Sequence, residues 1–417
     1  MKKLLSFVLC LLTAFAVISG TVFENSPADI SIVSEAAKYN KTMLPYCYRK
    51  LTDEEKLAYL KLRTAFIDHK DSVNIQIPVE SADKLSYIMM YADVLTTFNF
   101  PVGDNVVEYQ YYADTRVTSK IMFKYVYSKE EYDLIISEAD KAAKQVISAF
   151  SDDTGDYEKI KYIHDYIIEN TAYVNNGGNS SAYDSLVKGE AKCDGYAHAF
   201  DYLCAKAGIR SATVSGSSVN RSGEMEYHAW NKVYYNKKWY NVDATWDDPE
   251  SDLIENISYK YFMVSDKVIG ETHAQSDYKF YVPKAVSNDA DYYKMHGLYA
   301  KTFNEAKNIF ADGIAEAAKD GRHSVTVKFA DKSVYDQMTA CLRDDSEFFG
   351  VMDRAGQKSG GRILTGGYLY EGDTVQMYTY TVYFFSPGTC LSDYYKDPKK
   401  VGSDMKSFLN DLGVKNA

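Results

Sequence analysis

The stretch that decides the fold is Gly189-Glu-Ala-Lys-Cys193-Asp-Gly-Tyr-Ala-His-Ala-Phe-Asp-Tyr-Leu-Cys-Ala-Lys-Ala-Gly208. It contains no proline, and Cys193, Ala197 and Cys204 fall at helical spacing, which predicts one face of a helix. Gly208 stands where a helix usually ends. The helix therefore begins at or just before Cys193. The partial positive charge and free amides of a helix start favour a thiolate over a thiol, and the same amides can hold an oxyanion.

A histidine and an aspartate follow on a predicted hairpin. The segments 226–235 and 238–245 are rich in Tyr, Trp and Val and are separated by two residues, which predicts two antiparallel strands joined by a tight turn. In that register Trp230 faces Asp243, so His228 and Asp243 are diagonal neighbours on one face. Asp243 can then orient the His228 imidazole and leave its other nitrogen for a thiol. These are the components of nucleophilic acyl chemistry.

Several segments carry a family resemblance: Ile163-His-Asp-Tyr166, Ser181-Ala-Tyr-Asp-Ser-Leu186, Cys193-Asp-Gly-Tyr-Ala197, His228-Ala-Trp-Asn231, Trp239-Tyr-Asn-Val-Asp-Ala-Thr-Trp-Asp-Asp-Pro249 and Tyr261-Phe-Met-Val-Ser-Asp266. In their order and spacing, residues 156–266 resemble the core domain of the transglutaminase-like superfamily. The resemblance implies a papain-like fold in a bacterial secreted protein. It also implies that Cys193 is the nucleophile, His228 the base and Asp243 the orienting acid. One departure is Lys237, which replaces the glycine usual in the hairpin turn.

The expected fold class is α+β. A papain-like core, in which the cysteine helix packs on an antiparallel sheet, would be flanked by N-terminal and C-terminal α+β domains. The expected boundaries are a signal peptide over 1–36, an N-terminal domain over 37–150, the catalytic core over 151–283 and a C-terminal domain over 284–417. The C-terminal domain holds no chemical motif, which favours a supporting or binding role.

Periodicity predicts elements within the flanking domains. In the N-terminal domain we expect helices over 53–68, 82–97 and 129–150 and strands over 73–77, 106–112 and 117–127. In the C-terminal domain we expect helices over 303–319, 334–343 and 403–412, strands over 324–329 and 375–385, and turns at 359–361 and 366–367.

The N-terminus predicts export. Met1-Lys-Lys3 is basic, Leu4 to Ile18 is apolar, and Ser34-Glu-Ala36 offers small residues at the offsets of a cleavage site. The apolar run is too short for a membrane span, and no second span follows. The sequence therefore predicts a secreted, extracellular protein with no stable membrane span after the signal peptide is removed.

The charge of the chain limits the classes of partner that it can bind, and its cysteine number limits how its thiols can pair. The chain has 47 basic and 58 acidic residues, a net charge of −11, without basic clusters, which argues against nucleic acid and anionic membranes. An odd number of cysteines remains after the signal peptide, so at least one thiol is unpaired, and the pairing of Cys341 with Cys390 is left open. We expect a peptide or protein substrate, including cell-surface proteins, with no cofactor and no metal. The oligomeric state is not predicted.

Other residues are weaker candidates. Tyr183 either lines the site and donates to the oxyanion or packs in the core. Trp230 is a candidate substrate-binding residue, although packing is the more common role of such a ring. Cys204 is expected to be an inert core residue. His164 and Asp165 are expected to be structural, because adjacent residues on a helix point in different directions.

Three functions are compatible with these residues. The first is an enzyme that acts on amide bonds through a thioester, by hydrolysis or by transamidation, between which the sequence does not choose. The second is an extracellular peptide- or wall-binding module whose triad is idle. The third is a surface protein that uses the core as a scaffold. The intact triad favours the enzyme.

Overall fold

The computed structural model describes residues 44–98, 107–175, 180–219, 223–248, 257–276, 281–372, 377–395, 397 and 401–414. The signal peptide predicted over 1–36 lies outside the described residues. Among the residues described, none of the helices has the length and apolar character needed to span a bilayer.

The described helices are α1 (Asp53–Ile67), α2 (Val79–Tyr91), α3 (Lys129–Ile147), α4 (Asp156–Asn170), α5 (Cys193–Lys206), α6 (Ala244–Asp247), α7 (Asp266–Ile269), α8 (Tyr292–Met295), α9 (Phe303–Lys319), α10 (Lys332–Arg343), α11 (Asp345–Lys358) and α12 (Ser403–Asp411). The described strands are β1 (Ser72–Pro78), β2 (Val107–Tyr112), β3 (Val117–Phe123), β4 (Ala172–Tyr173), β5 (Glu190–Ala191), β6 (Ser211–Val219), β7 (Met225–Tyr235), β8 (Lys238–Val242), β9 (Phe262–Val264), β10 (His273–Gln275), β11 (Tyr299–Ala300), β12 (Ser324–Phe329), β13 (Leu364–Gly372) and β14 (Thr379–Phe385). This mixture of helices with mainly antiparallel sheets is the expected α+β class.

The central sheet has the strand order β10-β6-β7-β8-β9, and its strands are antiparallel. The predicted hairpin register is confirmed, because Tyr235 pairs with Lys238 at the turn. The two turn residues have positive φ values, 44° at Asn236 and 64° at Lys237. A tight turn of this kind favours glycine at its second position, so Lys237 adopts a strained backbone.

The second strand of the hairpin is shorter than predicted. β8 ends at Val242 rather than at Thr245, and Asp243 caps the one-turn helix α6. The Asp243 carboxylate accepts hydrogen bonds from the backbone amides of Thr245 and Trp246, at 3.0 and 3.1 Å. Aspartate is a preferred N-cap residue, so it ends the strand and starts the helix. Asp243 therefore lies at the junction of a strand and a helix, not within the predicted strand over 238–245.

Helix α5 packs against the central sheet and against α3 and α4. Its residues Phe200 and Cys204 are fully buried, in the same hydrophobic core as Ala139 and Ala143 of α3. The sheet's residues Val214 and Trp230 instead join a core formed with the N-terminal residues. The boundary at residue 150 stays a prediction, although α3 contributes to the core that holds α5.

The N-terminal layer combines the sheet β1-β3-β2 with α1 and α2. Thr52 and Glu55 form a reciprocal capping box at the start of α1. Helix α2 follows Pro78 directly and ends at Tyr91, so the helix predicted over 82–97 was misplaced at both ends. Just beyond the end of the helix, Asp93 is buried against Arg63, whose Nε lies 2.5 Å from the carboxylate.

The C-terminal region has a sheet of order β11-β12-β14-β13 and its own hydrophobic core, to which α9, α10 and α11 contribute. The turn predicted at 366–367 was wrong, because both glycines lie within β13. A Cβ atom on Gly367 would lie 2.6 Å from Leu412 and 2.9 Å from Phe408, so the glycine permits the close approach of α12.

Candidate active site

Cys193 is the first residue of α5 and is 7% exposed. It lies in a small buried cluster with Ala197 and Ala229. The preceding residue, Lys192, makes no side-chain hydrogen bond to the start of the helix. The first-turn amides are therefore not consumed by a side-chain cap and are suited to an anion.

His228 connects the thiol to the carboxylate. Its Nε2 lies 2.7 Å from Asp243 Oδ2, and both side chains are buried. Cys193 lies close enough to the same imidazole to help raise its pKa. Because Nε2 faces Asp243, Nδ1 is the nitrogen left for the thiol. The structure thus brings together the three residues that the sequence predicted as a triad.

The electrostatic environment favours the charged forms of the His228 and Asp243 side chains. Burial alone would lower the pKa of His228, but the Asp243 carboxylate and Cys193 outweigh it and raise that pKa to about 10. Burial alone would raise the pKa of Asp243, but His228 and His273 hold it below its usual range. A positively charged imidazole at neutral pH is the partner that stabilises a thiolate.

His273, on β10, is a site residue that the sequence analysis missed. Its Nε2 lies 2.9 Å from Asp243 Oδ2, the oxygen that also faces His228. Its Nδ1 lies 2.7 Å from the Thr272 hydroxyl. The sequence marks His273 as a site residue only weakly. The chain has seven histidines, and this one precedes a short alternating segment that carries no local motif.

His228, Asp243 and His273 are also the one group of three among the described residues that could hold a metal ion, with ligand atoms within 4.8 Å of one another. In the structure these atoms hydrogen-bond one another. The other Asp243 oxygen accepts from the α6 amides, and the other His273 nitrogen contacts Thr272. The cluster therefore satisfies its own polar atoms, as a buried polar network must.

Trp230 lies behind the imidazole of His228. The two rings are nearly parallel, at 15° with centroids 6.0 Å apart, and Trp230 is 2% exposed. Its indole N–H donates to Asn241 Oδ1 at 3.1 Å. Since that donor is already used, the structure places Trp230 as a packing wall rather than as an oxyanion donor.

The Tyr183 hydroxyl is directed to α3, where it donates to Glu138 Oε2 at 2.7 Å. Two other tyrosines, both about half exposed, lie near the nucleophile. Burial and the proximity of Cys193 raise the pKa of Tyr173 to about 12. The Tyr227 hydroxyl donates to Asp194 Oδ1 at 2.9 Å, in the first turn of α5. The sequence analysis identified neither of them.

His164 corrects one geometric argument. Its Nδ1 lies 2.9 Å from Asp165 Oδ1, so these adjacent side chains do meet. Its Nε2 lies 3.3 Å from Asp247 Oδ2, and burial is overcome by the two carboxylates, which raise the pKa of His164. The three residues link α4 to α6, the helix that Asp243 caps.

The cysteines outside the site are unpaired in the structure. The described cysteines, Cys47, Cys193, Cys204, Cys341 and Cys390, all have free thiols. Burial raises the pKa of Cys204 well above its usual value, and that of Cys341 to about 11. Neither environment favours a reactive thiolate.

Comparisons with solved structures give distant matches. A solved structure of a TGase matches at 16% identity over 46% of this chain and 57% of that chain, with a TM-score of 0.26. The periplasmic domain of TgpA from Pseudomonas aeruginosa matches at 22% identity over 26% of this chain and 44% of that chain, with a TM-score of 0.21.

Comparisons of sequence are more specific. Kyphoscoliosis peptidase from Homo sapiens is 36% identical over 98 residues, and the Mus musculus protein is 35% identical over the same length. The match covers 22% of this chain and 14% of either relative, so the chain spans about a seventh of their length. Residues 141–244 match the model of the Transglutaminase-like superfamily, a range that contains Cys193, His228 and Asp243 but ends before His273. Residues 141–244 are therefore a transglutaminase-like region within this chain.

Proposed function

We propose that this protein is a secreted cysteine enzyme that acts on amide bonds of peptides or proteins through an acyl-thioester. The observation that carries the proposal is the hydrogen bond between Asp243 and His228, with Cys193 at a helix start beside the same imidazole. The match of residues 141–244 to the Transglutaminase-like superfamily model supports it. Export rests on the N-terminal sequence.

In the acylation step, the Cys193 proton resides on His228 and the thiolate attacks the carbonyl carbon. The new C–S bond forms as the carbonyl electron pair moves to oxygen, and the first-turn amides of α5 are suited to that oxyanion. When the C–N bond breaks, His228 returns the proton to the leaving amine. The product is a thioester on Cys193.

In the deacylation step, water or a primary amine attacks the thioester and gives a proton to His228. Water yields a carboxylic acid, and an amine yields a new amide. Either outcome regenerates the thiol when His228 protonates the departing sulfur. Asp243 keeps its charge throughout and stabilises the imidazolium.

The test is to trap the acyl-enzyme. Protein lacking residues 1–36 is mixed with a glutamine peptide or an activated peptide ester, and intact mass after acid quench reports the adduct. We expect one acyl group on Cys193, none in Cys193→Ala, and an unchanged yield in Cys204→Ala. Chase with water or a labelled amine then distinguishes hydrolysis from transamidation.

An idle binding module on the same fold is the alternative. It predicts peptide binding without an adduct and equal affinity in wild type and Cys193→Ala. Absence of any adduct across peptides and esters, with the thiol shown to be free, would favour that alternative.

A further inference from the structure

We infer that His273 is a positioning residue that fixes the Asp243 carboxylate for His228. This inference rests on the proposed function for its catalytic readout, but its geometric basis is independent. His273 lies outside the region that matches the superfamily, so the match over 141–244 assigns it no role.

The Asp243 carboxylate is saturated with hydrogen-bond donors. Asp243 Oδ1 accepts from the amides of Thr245 and Trp246, and Oδ2 faces the Nε2 atoms of His228 and His273. An ionised carboxylate only accepts hydrogen bonds, so both Nε2 atoms carry protons and donate. Four donors thus hold one buried carboxylate, and His273 supplies one of the two on the oxygen that serves the triad.

The tautomer of His273 follows from the contacts at its two ring nitrogens. Since Nε2 donates to Asp243, a neutral His273 presents Nδ1 as an acceptor. The Thr272 hydroxyl, at 2.7 Å, is the matching donor. Thr272 is buried and also lies 3.2 Å from the Tyr261 hydroxyl, which fixes its position. The side chain is therefore oriented from both ends.

Three aromatic side chains enclose the His273 ring. The His273 ring contacts Trp230, Trp246 and Tyr261 edge-on, with centroid distances of 5.1, 5.2 and 5.2 Å. Only 5% of His273 is exposed. An imidazole packed on three aromatic rings has little freedom to turn away from Asp243.

The central sheet makes room for the contact between His273 and Asp243. His273 lies on β10 and His228 on β7, with β6 between them. At Gly216 of β6, the register partner of His228, a Cβ atom would lie 2.9 Å from the Trp230 ring and 2.3 Å from the Ala274 carbonyl. The glycine leaves that face open, so the rings of β7 and β10 meet above β6, with the two imidazoles 5.2 Å apart.

Loss of the His273 donor would change the orientation of the Asp243 carboxylate. Without the second donor on Oδ2, the carboxylate can rotate about its capping contacts, and the lone pair that faces His228 loses its fixed direction. Positioning errors of this kind reduce the rate of the chemical step more than substrate binding. We expect kcat to fall about 10- to 100-fold with KM little changed, as for outer-sphere partners of other oriented histidines.

The experiment compares two variants of similar size. In His273→Gln the side-chain NH2 can reproduce the donor at Nε2, whereas His273→Leu fills the space without a donor. We expect His273→Gln to keep kcat within about threefold of wild type and His273→Leu to show the full loss. A purely structural role would lower the melting temperature in both variants without this difference in kcat.

A second readout needs no substrate. The rate of Cys193 alkylation by iodoacetamide is measured against pH in wild type, His273→Gln, His273→Leu and Asp243→Asn. We expect the midpoint to move to higher pH in His273→Leu and Asp243→Asn and to stay in place in His273→Gln. Folding is checked in each variant by far-UV circular dichroism and melting temperature.

The two readouts separate the failures. If wild type forms no thioester but the alkylation midpoints shift as described, the proposed function is wrong and the positioning role stands. If His273→Leu is folded and keeps the wild-type midpoint and kcat, the positioning role is wrong whatever the enzyme does. Should His273→Leu fail to fold, His273→Phe and His273→Asn replace it, and equal midpoints in the donor-bearing and donor-free variants would also reject the role.

Discussion

Asp243→Asn separates the two tasks of this carboxylate. Asparagine caps helices about as well as aspartate, so its carbonyl oxygen can keep the amides of Thr245 and Trp246. Its NH2 group then replaces Oδ2 and faces His228 and His273, two donors that need an acceptor. With unchanged tautomers, two buried donors would be unsatisfied, at roughly 1–3 kcal/mol each.

The rings have a way to avoid that penalty. The asparagine NH2 carries two hydrogens, and both imidazoles can present Nε2 as an acceptor by moving their protons to Nδ1. His273 would then donate from Nδ1 to the Thr272 hydroxyl. His228 would direct an N–H toward Cys193 and could no longer take its proton. We therefore expect a loss of stability below about 2 kcal/mol with a fall in rate that approaches ~10⁴.

The assay measures kcat/KM and single-turnover thioester formation, with urea unfolding in parallel. Asp331→Asn is the matched control, because Asp331 caps α10 through the amides of Ser333 and Val334 and contacts no histidine through any described hydrogen bond. That control should be neutral in activity and within about 0.5 kcal/mol in stability. A folded Asp243→Asn enzyme within tenfold of wild-type kcat/KM would refute the tautomer argument.

Other expectations concern the thiols, the imidazole and the sheet. Cys193 should react with iodoacetamide well below the pH expected of a free thiol, whereas Cys204 in the folded protein should not react; equal rates would contradict the ion pair with His228. Cys204→Ala should cost roughly 1–2 kcal/mol of unfolding free energy without loss of activity, and the opposite outcome would mean that its face of α5 meets substrate. Because the pKa of His228 is raised from 6.5 to about 10, its contribution to stability is complete below pH 6.5 and is lost as the pH rises through about 10. The difference in unfolding free energy between wild type and His228→Gln should therefore shrink over that pH window by up to about 5 kcal/mol. A constant difference would argue against a charged His228. Gly216→Ala should lower both melting temperature and kcat, since a Cβ atom there meets Trp230 and β10, and unchanged values would show that the sheet can relax around it.

The helix that carries Cys193 was predictable because its information is local. Its start, its end and its buried face follow from the spacing of residues within 189–208, and in the structure α5 begins at Cys193. The hairpin register was predictable for the same reason, since a two-residue turn fixes every pair beyond it. Periodicity also located α9 and β12 at their observed bounds.

The errors come where tertiary contacts override local pattern. Residues 345–358 form α11, which was not predicted, although Phe348, Val351, Met352 and Ala355 recur at helical spacing and are buried. Gly350 and Gly356, which disfavour a helix, made this helical spacing hard to recognise in the sequence. The glycines at 366–367 suggested a turn, but they lie in β13 because α12 packs against them.

The contact between His273 and Asp243 was beyond sequence reasoning because it depends on three separate segments. The register of β10 on β6 places His273 opposite Ser218, two strands from His228. His273 reaches Asp243 in this register only because Gly216 places no side chain on the intervening strand and because Asp243 turns inward as a helix cap. None of these facts is visible within a window of sequence around residue 273. A site predicted from motifs is thus complete only for the residues that a hairpin or a helix start fixes locally. The residue that orients the triad from the sheet edge has to be found in three dimensions.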